Sequence, residues 1–462
     1  MSPTRKYFLL TLGCAKNTVD SDSMAALLAR DGLTPVRSPS RADVIVVNTC
    51  GFIGPAREES LSALRELAAA KRPGQWLIAA GCLSQRSGDD LIRNIPGLDG
   101  VMGTRRWMDI LSVLERLRSG VESAPVVHLP PAPSVGTDEQ GVVRAAVRGA
   151  SAYLKIADGC RRPCAFCAIP AIKGTLVSRP VERILEEVRI LQDGGVRELV
   201  LLGQDTTDYG RDLGLRDGLP ALLERIASVA PRIDWIRILY AFPGAVTERL
   251  IEAMASIRQV LPYLDIPLQH AHPDVLRRMN RPSDVDWVRR TVDRMRARLP
   301  DLAVRTAFIA GFPGESESEF ETLLDFLREL RFDRVGCFLY SHEEGTASAA
   351  RTDDVPLTVK QDRRNRLMEL QQGISLEKNR AWVGRRLDVL VEGHRKGLTV
   401  GRSFRDAPEV DGVVLIEGDA PPGAMVPVRV TGALPYDLIG VLEGEKTAGG
   451  KHRPSKGRTV SR

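Results

Sequence analysis

The sequence lacks any long hydrophobic run. Hydrophobic residues make up 43% of its 462 residues, yet no stretch approaches the roughly 18 consecutive apolar residues that a transmembrane helix needs. Residues 1–6 also lack the charged, apolar and small-residue layout of a secretory signal peptide, and they lead directly into a strand-like run. We therefore expect no membrane association and a cytoplasmic location.

Strong charge and a disulfide framework are also missing. The net charge is +6, which is mild for this length and does not by itself indicate a nucleic-acid partner. The cysteines number seven, an odd count, and thiols in a reducing compartment are usually core residues, metal ligands or nucleophiles. The cysteines therefore carry most of the functional information.

The hydrophobic pattern divides this α/β chain into three blocks and a tail. In residues 6–118, strand-like runs alternate with helical patterns, which predicts a domain with an open parallel sheet. Residues 119–145 are rich in proline and are interpreted as a linker. Residues 146–377 contain six strand–helix units, a partial version of the eight-unit barrel. Residues 378–444 predict a small antiparallel β-barrel, and 445–462 a basic, disordered tail.

Individual elements follow from the same periodicity. In the first block we predict strands at 7–12, 44–47 and 76–80 and helices at 21–30 and 55–71. In the second we predict strands at 153–157, 198–202, 236–241, 263–268, 304–310 and 335–340, with helices at 181–192, 317–330 and 360–380. In the third we predict strands at 386–392, 412–416 and 424–430.

Cys160, Cys164 and Cys167 form a C-x3-C-x2-C motif directly after the first predicted barrel strand. The carboxyl ends of the strands are where such barrels carry their chemistry. Three thiolates on one loop can ligate three irons of a 4Fe–4S cube and leave the fourth iron open to another ligand. A zinc site is the alternative, but structural zinc needs four protein ligands, and no further Cys or His lies close in sequence.

This motif resembles the signature of the radical S-adenosylmethionine (SAM) superfamily, in which an aromatic residue precedes the last cysteine, here Phe166. The resemblance implies that the open iron chelates SAM and that Phe166 contacts the cofactor. It further implies that the cluster passes one electron to SAM, and that the resulting 5′-deoxyadenosyl radical abstracts a hydrogen atom.

Cys14, Cys50 and Cys82 form a second group, although they are far apart in sequence. Each follows the carboxyl end of a predicted parallel strand, and such ends line one crevice of an open sheet. We therefore predict that they converge on a second three-ligand cluster. The alternative is three independent buried cysteines. Cys337 lies in the middle of a predicted strand and is interpreted as an inert core thiol.

Two clusters and a C-terminal barrel together resemble the radical SAM methylthiotransferase family over nearly the whole chain. The resemblance implies an N-terminal methylthiotransferase domain, a radical SAM core and a C-terminal TRAM domain. It also implies two 4Fe–4S clusters, two uses of SAM, and an auxiliary cluster on the N-terminal cysteines that carries the sulfur. An unactivated C–H bond has no usable acid, so a cofactor-derived radical is needed to convert it to C–S–CH3.

Within the family, one branch modifies an adenosine of transfer RNA. The other modifies the β-carbon of an aspartate in small-subunit ribosomal protein S-twelve. Residues 401–412 are similar to the TRAM signature of the ribosomal-protein branch, and residues 203–210, with Asp205 after Gln204, also resemble that branch. The resemblance therefore implies the ribosomal protein as partner, with transfer RNA as the alternative. It also implies a flavodoxin or ferredoxin as electron donor.

Charge in the C-terminal block also favours a protein partner. Residues 378–443 contain nine Lys/Arg and nine Asp/Glu, whereas an RNA-binding module is expected to be clearly basic. We interpret Asp406, Glu409 and Asp411 as an acidic patch that binds the basic ribosomal protein. A solvated loop with no partner is the alternative.

Further SAM contacts are predicted at the barrel rim. Many radical SAM enzymes place a Gly-Gly-Glu-like motif after the second strand to receive the amino end of SAM, and this chain has Gly-Gln-Asp there. We assign Gln204 to that role, with turn capping by Asp205 as the alternative. Arg305 is predicted to pair with the SAM carboxylate, and an ordinary ion pair is the alternative.

One hypothesis from another class remains open. The chain could be a non-catalytic iron–sulfur scaffold or RNA-binding module, which predicts that the reduced protein does not cleave SAM. The position of the C-x3-C-x2-C loop at a barrel strand end argues against it.

Overall fold

The computed structural model describes residues 5–120, 125–136 and 140–443. The chain divides into two compact units, residues 1–375 and 376–462. The predicted tail, 445–462, lies outside the described residues. Among the residues that are described, no helix combines the length and apolar character needed to cross a bilayer.

The first unit begins with a six-stranded sheet in which all neighbours are parallel. Its strands are β1 (Lys6–Thr11), β2 (Thr34–Pro35), β3 (Val44–Thr49), β4 (Trp76–Gly81), β5 (Gly100–Gly103) and β6 (Val126–His128), in the order β2-β1-β3-β4-β5-β6. Helices α1 (Ala15–Arg30), α2 (Gly54–Ala69), α3 (Cys82–Asn94) and α4 (Ile110–Ser119) connect them. The predicted open parallel sheet is confirmed.

Strand β3 packs against a hydrophobic core on both faces of the sheet. All six of its residues are buried. Val44 and Val46 pack into the core on one face, and Ile45 and Val47 pack into the core on the other. A continuous apolar run of this kind is typical of a central strand in a parallel sheet.

The described part of residues 119–145 contains a strand, which the linker interpretation did not predict. They contain β6, whose residues 126–128 pair with residues 100–102 of β5. The strand is anchored because the ring nitrogen Nε2 of His128 lies 2.8 Å from Oδ2 of Asp109. Three residues among several prolines are too short to give a periodic signal.

The barrel contains six parallel strands in chain order. These are β8 (Ser151–Lys155), β11 (Glu198–Leu202), β12 (Trp235–Ile238), β13 (Tyr263–Asp265), β14 (Ala303–Ala310) and β15 (Arg334–Leu339). A single bridge between Ile236 and Val260 joins the first three strands to the last three. The predicted partial (β/α)6 barrel is confirmed. The sequence did not predict β7 (Ala145–Arg148), which pairs antiparallel with β8, or the short pair β9 (Ala157–Asp158) and β10 (Val177–Ser178).

Helices cover the outside of the barrel and lead out of it. They are α5 (Ile169–Lys173), α6 (Val181–Asp193), α7 (Gly218–Val229), α8 (Glu248–Ser256), α9 (Pro273–Arg278), α10 (Val285–Arg298), α11 (Glu317–Leu330) and α12 (Leu357–Arg380). Helix α11 begins at a capping box, in which Ser316 and Glu319 each bind the other's backbone N–H.

The second unit contains a closed five-stranded barrel. Its strands are β16 (Arg386–Arg395), β17 (Leu398–Ser403), β18 (Val414–Glu417), β19 (Met425–Ala433) and β20 (Leu438–Leu442), in the order β16-β17-β18-β20-β19. The predicted small barrel is confirmed, with one correction to its strand directions. The pair β18–β20 is parallel, while the other four pairs are antiparallel.

Candidate functional site

The N-terminal cysteines meet at the carboxyl edge of the first sheet. Cys50 and Cys82 directly follow β3 and β4, and Cys14 comes three residues after the end of the neighbouring strand β1. A side chain at Gly13 would place its Cβ 2.7 Å from Cβ and 2.9 Å from Sγ of Cys50, and Gly13 has a φ of +92°. Only glycine tolerates both constraints, so Gly13 allows the Cys14 turn to approach Cys50.

Asn17 holds the three strand ends together. Its Nδ2 donates to the carbonyl oxygens of Leu12 (2.9 Å) and Thr49 (3.1 Å), and its Oδ1 accepts from the Cys82 thiol at 3.6 Å. Asn17 is buried, so the loss of any of these bonds would leave an unsatisfied amide. Sequence reasoning missed this residue, because a polar side chain three positions after Cys14 gives no signal of its own.

The second cysteine group lies on the loop after β9. Cys160, Cys164 and Cys167 are all half-buried. Sγ of Cys160 accepts from the backbone N–H of Arg162 at 3.4 Å, and Sγ of Cys164 accepts from Nη1 of Arg281 at 3.5 Å. Hydrogen bonds to sulfur stabilise thiolate ligands and tune the cluster they hold.

The donor set of each trio suits a 4Fe–4S cube. A structural zinc takes four protein ligands, whereas three thiolates bind three corners of a cube and leave the fourth iron open to another ligand.

The thiols of the two trios differ in acidity. Burial raises the pKa of Cys82 and of Cys167 to about 12 and that of Cys160 to about 11. Burial acts the same way on Cys14, but the charge of Lys16 and backbone N–H groups outweigh it and lower the Cys14 pKa. Metal ligation must therefore displace protons from most of these thiols, while Cys14 is the most readily ionised member of its trio.

The two trios are close to each other across the contact between the first sheet and the barrel. Cys82 packs against Ala168 and Ile172, which lie just after Cys167. Helix α5, which contains Ile172, therefore contacts the first trio and follows the second in the chain.

A segment after β12 contacts residues that neighbour each of the trios. The Lys16 ammonium sits 3.2 Å from the ring centroid of Tyr240, on the side of the first trio. Two residues further on, the Phe242 ring lies 4.1 Å from the Arg162 guanidinium and 4.6 Å from that of Arg281. Both arginines also donate hydrogen bonds to sulfurs of the second trio. Tyr240 therefore lies on the side of the first trio and Phe242 on the side of the second.

A buried charge network fastens the first sheet to the barrel. The carboxylate of Asp20 in α1 accepts from Arg144 (2.6 Å), Lys155 (2.5 Å) and Lys173 (3.1 Å). Asp158 pairs with the same two lysines at 3.0 and 3.3 Å. Buried charges need such partners. Sequence reasoning missed this network, because Asp20 is more than 100 residues away from each of its three cationic partners.

Asp20→Asn should lower the free energy of unfolding by about 3–5 kcal/mol, because it leaves three buried cations with one carboxylate. Burial raises the pKa of Asp20, but the three cations outweigh it and hold that pKa far below its usual range. The stabilisation is therefore present above the unfolded pKa and is lost only as the pH falls through the lower folded pKa. Urea unfolding of the two proteins at pH 7 measures the first effect, and repeating it at about pH 3, below the unfolded pKa, should show a smaller difference between them.

Asp22→Asn is the matched control for this prediction. Asp22 lies in the same helix and pairs with Arg148 at 2.9 Å, but both side chains are exposed. We expect this change to cost less than about 1 kcal/mol. Equal unfolding midpoints for the two variants would contradict the assigned role of Asp20.

The predicted SAM contacts have different environments. Phe166 is half-buried and packs against a small apolar cluster that includes Phe312. Gln204 is half-buried, and its amide makes no hydrogen bond within residues 5–120, 125–136 and 140–443. Nη1 of Arg305 donates to Oδ1 of Asp265 at 2.9 Å, which favours the ordinary ion pair that the sequence left as the alternative. The roles of Phe166 and Gln204 stay predictions.

Asp205 and Asp208 support the loop that carries the second trio. Oδ2 of Asp205 accepts from Nε of Arg162 at 2.7 Å, and its Oδ1 accepts from Thr207 at 2.5 Å. Asp208 pairs with Arg161. Both arginines follow Cys160 directly, so the loop after β11 fixes the cysteine loop as well as its own turn. This favours a structural role for Asp205, as the sequence allowed.

The predicted acidic patch is wrong for Asp406. Its side chain is 1% exposed, and Oδ2 accepts from the Ser403 hydroxyl at 2.8 Å, so it cannot contact a partner surface. Asp411 is half-buried and accepts from the backbone N–H of Ala407 at 2.9 Å. Glu409 is exposed, with a φ of +67°. The acidic side chains in this loop are thus used largely to shape the loop itself.

Family models match the chain in three segments. Residues 6–103 match the model described as uncharacterized protein family UPF0004, residues 154–327 match the radical SAM superfamily, and residues 383–442 match the TRAM domain. These segments fall in the first sheet, the barrel and the second unit, respectively.

Several relatives align over almost their whole length. Proteins named ribosomal protein uS12 methylthiotransferase RimO are 50% identical in Roseiflexus sp. (strain RS-1), 48% in Roseiflexus castenholzii and 47% in Chloroflexus aurantiacus. The alignments cover 95%, 96% and 94% of this chain and 97%, 98% and 99% of the relatives.

A solved structure shares the fold at low identity. The radical SAM methyltransferase TsrM from Kitasatospora setae, with cobalamin and a 4Fe–4S cluster bound, aligns with a TM-score of 0.53 and 14% identity. The alignment covers 86% of this chain and 80% of that one.

Proposed function

Because the chain belongs to the RimO family of ribosomal protein uS12 methylthiotransferases, we propose that its two cysteine trios hold two different 4Fe–4S clusters. Cys160, Cys164 and Cys167 hold the cluster that binds and cleaves SAM. Cys14, Cys50 and Cys82 hold the auxiliary cluster, which carries the sulfur. In this proposal each trio leaves one iron without a protein ligand.

The chain is a radical SAM enzyme that uses 4Fe–4S clusters and SAM. Its reaction converts the β-carbon C–H bond of an aspartate in uS12 to C–S–CH3. When bound, the cofactors supply a radical able to remove that hydrogen, which no side chain could remove as a proton. Modification of a transfer-RNA adenosine is the less favoured alternative, because the relatives are named for uS12.

The protein's own residues position the reacting groups. Arg162 and Arg281 donate hydrogen bonds to sulfurs of the second trio, and their guanidinium groups flank Phe242. Asn17 fixes the geometry of the first trio. The Asp20 network fastens helix α1, which follows Cys14 directly, against the barrel. Fixed spacing of this kind reduces the entropic cost of bringing three reactants together.

One observation carries the proposal. The first trio lies at the carboxyl ends of three parallel strands and the second on one loop of the barrel, and both lie near α5 and the segment at Tyr240 and Phe242. A substrate side chain between them would face a SAM-bearing cluster on one side and a sulfur-bearing cluster on the other. A single-cluster scaffold has no use for the second trio.

Two further parts of the proposal concern partners and location. We propose a flavodoxin or ferredoxin as electron donor, and a cytoplasmic location, where both ribosomal proteins and reducing conditions are found. Of the predicted acidic contacts to uS12, Glu409 is the one that remains exposed.

Mass spectrometry of a strain that lacks the gene tests the substrate assignment. We expect uS12 to lose the mass of one methylthio group and transfer RNA to keep its methylthio groups. The wild-type gene should restore the uS12 mass, and a gene with serine in place of Cys14, Cys50 and Cys82 should not. Loss from transfer RNA alone would overturn the assignment.

A further inference from the structure

Lys16 is a buried lysine without a carboxylate partner. It is 6% exposed. Within the described part of the chain its ammonium makes no hydrogen bond and no ion pair, and its close contact is the face of the Tyr240 ring at 3.2 Å. A cation–π contact offsets only part of the cost of removing an ammonium group from water. The Lys16 ammonium is therefore suited to bind an anion that is not part of this chain.

Nearby charged residues are already engaged. Asp265 is close enough for its charge to act on Lys16, but its oxygens accept from Arg305 and from the backbone N–H of Tyr240. Asp20 and Asp158 are both bound by Lys155 and Lys173. None of these carboxylates is available to pair with Lys16.

Tyr240 is held in an unusual conformation at the same place. Its φ is +62°, which is uncommon for a bulky residue. Its backbone N–H donates to Asp265 at 2.9 Å, and its carbonyl accepts from the backbone N–H of Thr206 at 3.1 Å. Its hydroxyl makes no hydrogen bond to any residue in the described ranges. Strain of this kind persists where surrounding structure imposes it, often at ligand sites.

An auxiliary cluster would itself be anionic, and it is the competing partner for Lys16. Another lysine also serves it. The positive charge of Lys173 acts on Cys14, Cys50 and Cys82, although on Cys14 it is outweighed by that of Lys16. The Lys16 ammonium itself contacts the ring of a barrel residue, Tyr240.

We propose that Lys16, with the Tyr240 hydroxyl beside it, is a carboxylate-binding subsite for the side chain of the substrate aspartate. The inference rests on the proposed function. In aspartate the carboxylate is attached to the β-carbon, so a cation that holds it fixes the reacting carbon one bond away. Since Lys16 is two residues after Cys14, the β-carbon is held beside the sulfur-bearing trio and faces the barrel.

The experiment measures binding of uS12 to the anaerobic holoenzyme with SAM present. Two forms of uS12 are compared, one with the target aspartate and one with asparagine there. The wild-type enzyme should bind the aspartate form about tenfold or more tightly, as expected for a charge-assisted hydrogen bond. Lys16→Met should weaken binding of the aspartate form by a similar factor, leave the asparagine form unchanged and so abolish the preference. Lys16→Arg should retain much of it.

Lys71→Met is the matched control. Lys71 is a half-buried lysine of the same domain, but it pairs with Asp99 at 2.7 Å, next to the opposite ends of the strands. It should keep the wild-type preference. Iron and sulfide content are measured for every variant, because a lysine that serves the cluster would change them.

The outcomes separate the subsite from the proposed function. If the Lys16→Met enzyme still prefers the aspartate form, whatever its iron content, the subsite is overturned and the proposed function is left intact. A wild-type holoenzyme that binds neither form of uS12 would overturn the proposed function and the subsite with it.

Discussion

Replacing Cys160, Cys164 and Cys167 with serine should abolish 5′-deoxyadenosine formation and lower bound iron from about eight to about four atoms per chain. The physical reason is that SAM is cleaved only at the open iron of the cluster that these thiols hold. The protein is reconstituted and reduced anaerobically, the nucleoside product is quantified by chromatography, and iron is measured on the same sample. Formation of the product by the wild-type protein also excludes a non-catalytic scaffold.

Cys337→Ala is the control for this variant. Its thiol is buried in β15, and burial raises its pKa to about 12. Removing it takes away a cysteine but no proposed ligand, so we expect about eight irons and full product formation. Product formation by the triple variant, or iron loss in Cys337→Ala, would show that the thiols have been assigned wrongly.

Replacing Cys14, Cys50 and Cys82 with serine should separate the two halves of the chemistry. About four irons should remain and SAM should still be cleaved, since the barrel trio lies on its own loop after β9. Methylthio transfer to uS12 should fall below detection, because the sulfur has no carrier. Both activities are followed in one reaction by chromatography of the nucleoside and mass spectrometry of uS12.

The informative comparison is between the two triple variants. If the N-terminal trio were three unrelated core cysteines, its replacement would leave both the iron count and methylthio transfer unchanged. If both trios shared one cluster, either variant would lose all iron. If the two clusters are independent, each triple variant keeps half of the iron. The barrel variant then loses SAM cleavage, whereas the N-terminal variant keeps it and loses methylthio transfer.

The cysteine trios could be found from sequence because strand ends are easy to locate. The runs 44–47 and 76–80 are almost purely apolar, and the observed strands Val44–Thr49 and Trp76–Gly81 extend each by only one or two residues. Parallel strands place their carboxyl ends at one edge, so the positions of Cys50 and Cys82 followed without knowledge of their contacts. Roles for individual thiols remain predictions.

The start of α1 shows where the hydrophobic pattern fails. The sequence predicted a helix from 21, but the helix begins at Ala15. Its first turns bury Lys16, Asn17 and Asp20, so the face that packs inward is polar and has no apolar periodicity. These are also the residues that support the site, which explains why sequence reasoning missed both the helix start and the supporting contacts.

The error at Asp406 has a related cause. Its charge indicated an exposed position, but the side chain is satisfied inside a turn by Ser403. A formal charge count cannot distinguish an acid that faces solvent from one that caps its own loop. The second unit's strands Leu398–Ser403 and Leu438–Leu442 were missed because each is short and interrupted by glycine.

The most direct test of the account follows the hydrogen atom. Holoenzyme is incubated with SAM, a reductant, a sulfide source and uS12 that carries deuterium on the β-carbon of its target aspartate. The account predicts deuterium in the 5′-deoxyadenosine and one methylthio group on the same aspartate. Unlabelled 5′-deoxyadenosine together with methylthiolated uS12, or uS12 that stays unmodified, would contradict it.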